Sequence, residues 1–114
     1  MKTILLDIDG TLLYHNGDLS NQILSSCDVL DGVLEKLNEW NRKGYYIILT
    51  TGRKECLREL TNEQLIKQGI FYDKLIMGLP RGCRVLINDS KPNIDVTAQA
   101  YVVKRNEGLR GLEI

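Results

Sequence analysis

Hydrophobic positions in this chain follow two rhythms. Thr3 to Ile8, TILLDI, is a nearly unbroken apolar run, which predicts a central parallel strand covered on both faces rather than a half-exposed one. From Leu30 to Lys43 the apolar residues Leu30, Val33, Leu34, Leu37 and Trp40 fall three or four apart. That spacing predicts a helix burying one stripe, with Trp40 and Leu37 as core residues and Gly44 as the stop. YYIILTT, Tyr45 to Thr51, repeats the strand pattern. GRKECLREL opens a second helix, which the capping-box spacing of TNEQ, Thr61 to Gln64, restarts and Gly69 ends. DKLIMG and RVLIND predict third and fourth strands and AYVVK a fifth. Between the first strand and first helix, LLYHNGDLS carries Asn16-Gly17, the pair best suited to a tight hairpin, so a small β-flap is expected there. His15 beside it reads as a surface residue.

Strands alternating with helices predict an α/β domain with a parallel sheet and right-handed crossovers. At 114 residues and 43% apolar content the chain suits a single domain, 1–114, with one core. The charges balance, 15 Lys and Arg against 15 Asp and Glu, without a basic block. Bulk charge therefore offers no support for a nucleic-acid or acidic-membrane partner. The start, MKTILLDIDGT, is too short in apolar residues for a signal peptide or membrane span, so a cytoplasmic protein is expected. Cys27, Cys56 and Cys83 are odd in number and widely spaced. They read as buried or half-buried thiols rather than a zinc site or disulfide framework.

In open parallel sheets ligands bind beyond the carboxyl ends of the strands. The polar clusters fall at those ends: Asp7, Asp9 and Thr11, then Thr50 to Arg53, then Asn88 to Lys91. Carboxylates brought together away from water need a cation or protons. Asp7, Asp9 and Asp89 form an all-oxygen set suited to magnesium, whereas no His or Cys among them favours zinc. Two carboxylates in different surroundings can divide into a nucleophile and a proton carrier. Thr51 and the amide of Gly52, just before a helix, make a cradle for phosphate.

DIDGT at Asp7 to Thr11, TTGR at Thr50 to Arg53 after an apolar strand, and VLINDSKP at Val85 to Pro92 together resemble the haloacid dehalogenase superfamily of phosphohydrolases. The resemblance implies a Rossmann-like, five-stranded parallel sheet in the order 3-2-1-4-5, flanked by helices, in a small form without a cap domain. It implies that Asp7 is the nucleophile forming an aspartyl-phosphate and that Asp9 protonates the leaving oxygen and then activates water. Thr51 holds the phosphoryl group, and Asp89 binds magnesium with Asp7 and the backbone carbonyl of Asp9. The family's usual lysine is replaced here by Leu79, in GLP. Arg81 and Lys91 are the stand-in phosphate-binding cations, while Lys74 falls at the wrong end of its strand. The expected activity is magnesium-dependent phosphomonoester hydrolysis on a small or larger phosphorylated partner. The alternatives are a weak or inactive phosphate- or partner-binding domain and a phosphotransferase. A site without a cap also suits closure by a neighbouring subunit in a homo-oligomer.

Overall fold

The computed structural model describes residues 1–15, 17 and 28–114. Among the described residues three strands, β1 (Thr3–Asp7), β2 (Tyr46–Thr50) and β3 (Lys74–Ile76), form a parallel sheet in the order β1-β2-β3. Helix α1 (Val33–Arg42) joins β1 to β2, and a 3₁₀ turn (Glu55–Leu57) followed by α2 (Arg58–Lys67) joins β2 to β3. The architecture is thus α/β with parallel strands. Among the described residues no helix is long and apolar enough to cross a membrane.

Register explains how the core is filled. Ile4 stands level with Ile47 and Leu6 with Leu49, and Ile47, Leu49 and Leu6 are buried. They pack in one cluster with Val33, Leu37 and Trp40 of the predicted helical stripe. Leu34 drops out of that stripe and lies exposed. After α1, Gly44 takes a left-handed φ of 77° and its N–H donates to the Asn41 carbonyl, ending the helix where expected.

Both faces of the first strand were expected to be covered. The structure differs: burial alternates along β1, and Leu5, on the opposite face from Leu6, is 52% exposed. The expected restart at Thr61 is also absent, because α2 runs unbroken through it and Thr61 is fully buried. Of the thiols expected to be at least half-buried, Cys56 and Cys83 are exposed, and Cys27 lies outside the described residues. The flap is described only at its base. There Tyr14 N–H donates to the Asp28 carbonyl and Leu30 N–H to the Leu12 carbonyl, in antiparallel pairing. Asn16 and residues 18–27 fall outside the described residues.

The largest difference concerns the fourth and fifth strands. Residues 84–89 and 100–104 belong to no strand of the described structure. Val85, Leu86, Ile87, Tyr101 and Val102 are exposed. Together the segment from Pro80 to Arg105 forms an arm. Its tip is a turn at Lys91–Ile94, bridged between those two residues, with Pro92 first and Asn93 at φ 68° second. That pairing suits a type II turn. Asn88 Nδ2 donates to the Thr97 carbonyl at 3.0 Å, tying the outgoing limb to the returning one.

The chain after the arm is anchored. Leu109 N–H donates to the Asp31 carbonyl, and the Arg110 guanidinium grips the Asp31 carboxylate at 2.7 and 2.8 Å. The backbones approach so closely that a Cβ on Gly108 would overlap the Asp31 carbonyl, and one on Gly32 would meet the Arg110 nitrogen at 2.6 Å.

Candidate active site

Asp7 is the last residue of β1 and pairs in register with Thr50, the last residue of β2. The next residue, Thr51, is therefore delivered one step beyond the strand end beside Asp7. Its N–H donates to the Ile76 carbonyl, and Leu79 N–H donates to the Thr51 carbonyl. Thr51 is buried, and its hydroxyl oxygen accepts from the Arg53 N–H at 3.1 Å. Gly52 between them is exposed. A Cβ there would press on the Leu79 carbonyl at 3.3 Å. Leu79, at the position where the resemblance places a lysine, thus sits directly against Thr51 and Gly52, the pair expected from the sequence to cradle phosphate. Lys74 begins β3, at the opposite end of the sheet.

The Asp7 carboxylate opens to solvent on one side yet is crowded by the strand ends. Desolvation raises its pKa above the ordinary 3.8, and the neighbouring Asp9 charge pushes the same way. The Ile8 N–H, the Arg84 guanidinium and the Thr11 hydroxyl act in the lowering direction without cancelling the rise. Asp9 is more enclosed, its side chain 10% exposed. Arg53 Nε donates to its Oδ2 at 2.8 Å and Nη2 to its Oδ1 at 2.7 Å, a bidentate pair with a guanidinium only 2% exposed. The remaining nitrogen, Nη1, donates to Gln64 Oε1 at 2.6 Å and Thr61 Oγ1 at 3.1 Å. Thr61 and Gln64, three apart on α2, therefore face inward and seat Arg53. With both Asp9 oxygens occupied by the fork, proton transfer at Asp9 requires one of them to be released.

Asp7, Asp9, Thr51 and Gly52 are gathered at one sheet end; Asp89 is not with them. It lies exposed in the arm, and its carboxylate pairs with the Lys91 ammonium. Among the described residues no three His, Cys, Asp or Glu side chains converge on a possible metal position. The Asp7 carboxylate and the Asp9 backbone carbonyl are hard-oxygen donors of the kind magnesium takes. Without Asp89 the magnesium set expected from the sequence is incomplete within one chain. Of the two stand-in cations, Arg81 is exposed and Lys91 is engaged with Asp89. The cation whose field reaches Asp7 is Arg84, which the sequence reading passed over. It donates to the Pro80 and Gly82 carbonyls at 2.8 and 3.2 Å. Arg53 was placed in a strand-end cluster without a role, and Thr61 and Gln64 were missed as site residues; two polar residues three apart in an otherwise helical stretch were the available signal.

No family model and no curated protein matches the chain. Solved structures do resemble it. A chain of the Pnkp1/Rnl/Hen1 complex is 35% identical with a TM-score of 0.58, over 67% of this chain and 27% of that one. A target protein from Vibrio cholerae is 24% identical with a TM-score of 0.54, over 78% of this chain and 80% of that one. The D,D-heptose 1.7-bisphosphate phosphatase from B. bronchiseptica, complexed with magnesium and phosphate, is 20% identical with a TM-score of 0.53, over 72% of this chain and 51% of that one. The chain thus spans about a quarter of the length of the chains it matches in the Pnkp1/Rnl/Hen1 structures. These likenesses support a haloacid dehalogenase-like fold.

Proposed function

We propose that the chain is a phosphohydrolase of the haloacid dehalogenase kind, cleaving phosphomonoesters through an aspartyl-phosphate on Asp7. The observation that carries this reading is the pairing of Asp7 with Thr50 in register, which brings the carboxyl ends of β1 and β2 level, so that Asp7 and the buried Thr51 with the exposed Gly52 fall at one sheet end. An Asp7 oxygen attacks phosphorus as the ester P–O bond breaks, and a protonated Asp9, freed from Arg53, gives its proton to the leaving oxygen. Water then attacks the same phosphorus. Asp9 takes the water's proton, the Asp7–phosphorus bond breaks and inorganic phosphate leaves. Thr51 and Gly52 hold the phosphoryl oxygens. Asp7 and the Asp9 carbonyl would hold magnesium, with Asp89 completing the set once it is brought to them, and the ion would supply charge neutralisation.

The substrate class is a phosphorylated sugar or a phosphorylated nucleic-acid end. The similarity to a D,D-heptose 1.7-bisphosphate phosphatase and to a chain of an RNA repair complex supports this class. One observation favours a second reading, a phosphate-binding domain with little turnover: Asp9 is clamped by Arg53, and Leu79 replaces a cation at the cradle. A panel of sugar phosphates and 3′- and 5′-phosphorylated oligonucleotides, assayed for released phosphate with and without magnesium, separates the two. Magnesium-dependent release that Asp7→Asn abolishes supports the phosphohydrolase. No release from any substrate, with release appearing in Leu79→Lys, supports the binding domain.

A further inference from the structure

The arm's feet stand at the site. Leu79, just before it, is bonded to Thr51, and Asn106, just after it, donates to the Gly10 carbonyl at 2.8 Å. Its outgoing limb, RVLIND, is an apolar strand sequence without a strand partner among the described residues, with Val85 77% and Ile87 89% exposed. The sheet has a matching deficit: β1 pairs only with β2 among the described residues, and Leu5 beside its outer edge is exposed. An exposed apolar limb and a strand edge whose outer backbone groups have no partner among the described residues are unfavourable apart and complementary together.

Geometry decides whether one chain can join them. For Asp89 to lie level with Asp7 in a parallel strand, Arg84 must lie level with Lys2, at the amino end of β1. Leu79 is fixed at the carboxyl end, beyond Thr50. The path from Leu79 to Arg84 must descend roughly 20 Å and cross at least about 10 Å of sheet. Fully extended, those five steps reach at most about 18 Å. A parallel crossover ordinarily takes a dozen or more residues, commonly a helix, and here only Met77 to Cys83 separate β3 from the limb. A copy of the same chain, entering from outside, is free of this tether.

We propose that two copies of the chain exchange arms. The limb 84–89 of each adds as a parallel strand to the outer edge of the other's β1, placing that limb's Asp89 beside the recipient's Asp7 and Asp9 carbonyl. Each site is then built from two chains, and the short Pro80–Gly82 connection, beyond the fixed Leu79, acts as the hinge from which exchange proceeds. The pairing is the same in both directions, so it closes as a two-fold dimer. The metal part of this inference rests on the phosphohydrolase reading; the exchange itself does not.

Analytical ultracentrifugation of the full chain tests the exchange without any substrate. A dimer is expected for the wild type and a folded monomer for Ile87→Asp, since in a single chain Ile87 is exposed and its replacement costs the core nothing. A wild-type monomer at all concentrations, or an Ile87→Asp variant that stays dimeric, overturns the exchange. The composite site is read by titrating Mn²⁺, followed by electron paramagnetic resonance. Asp7→Asn and Asp89→Asn, each alone, should lose the ion. Co-expressed with different tags, they should recover about one quarter of the wild-type sites, because half the dimers are mixed and one of two sites in each is intact. A dimer in which co-expression recovers no Mn²⁺ site overturns the sharing of Asp89. Loss of phosphate release alone, with the dimer and the recovered Mn²⁺ site intact, overturns the phosphohydrolase reading and leaves the exchange standing.

Discussion

Asp7 is a residue the fold holds at a cost. Its pKa is raised above 3.8, chiefly by desolvation, so the folded chain binds more protons than the unfolded chain just above that pH. Stability contributed at this residue therefore falls as pH rises through that window and stays reduced at neutral pH. Asp7→Asn removes the ionisable group. Its thermal midpoint relative to wild type is expected to increase between pH 3.8 and neutrality and then level off; a difference independent of pH would contradict the assignment. Arg53 behaves oppositely, since its loss strands the enclosed Asp9 carboxylate and removes the guanidinium's bonds to Thr61 and Gln64. Arg53→Met is expected to cost roughly 3 kcal/mol or more in urea unfolding at pH 7, and Arg53→Met combined with Asp9→Asn to cost less than the sum of the two single losses.

At the scale of elements, the junction of the C-terminal segment with the start of α1 depends on two glycines where backbones meet. Gly108, at φ 80°, has no room for a methyl against Asp31. Gly108→Ala should cost at least about 1–2 kcal/mol from backbone handedness alone, lowering the midpoint by more than about 5 °C. Faster hydrogen exchange at Leu109 is the accompanying sign that the segment has lifted from Asp31. This junction was invisible in the sequence, because a glycine's need for close approach depends on a partner distant in the chain. Local elements were legible for the opposite reason. The stripe Val33, Leu37, Trp40 and the runs ending at Asp7 and Thr50 carry their own periodicity. The misreading at Thr61 to Gln64 came from one spacing serving two purposes: three residues apart describes a capping box and also two neighbours on one helix face.

Across the whole molecule, the order of strand-end clusters along the chain made most of the site legible, since strands running parallel deliver their carboxyl ends to one side. Asp7, Asp9, Thr51 and Gly52 needed no further information. Asp89 needed more, because an apolar run declares that a segment can be a strand without naming the edge it joins. The length of its tether was in the sequence and, weighed against a strand's rise, would have shown the difficulty. The seat of Arg53 has a bearing on inheritance. Thr61 and Gln64 lie outside every motif that marks this site, yet they hold the guanidinium that occupies Asp9. Under the proposed mechanism, mutational drift at either helix position changes how readily Asp9 moves a proton while leaving every signature residue in place, so descendants of this chain that look identical at the motifs need not share that chemistry.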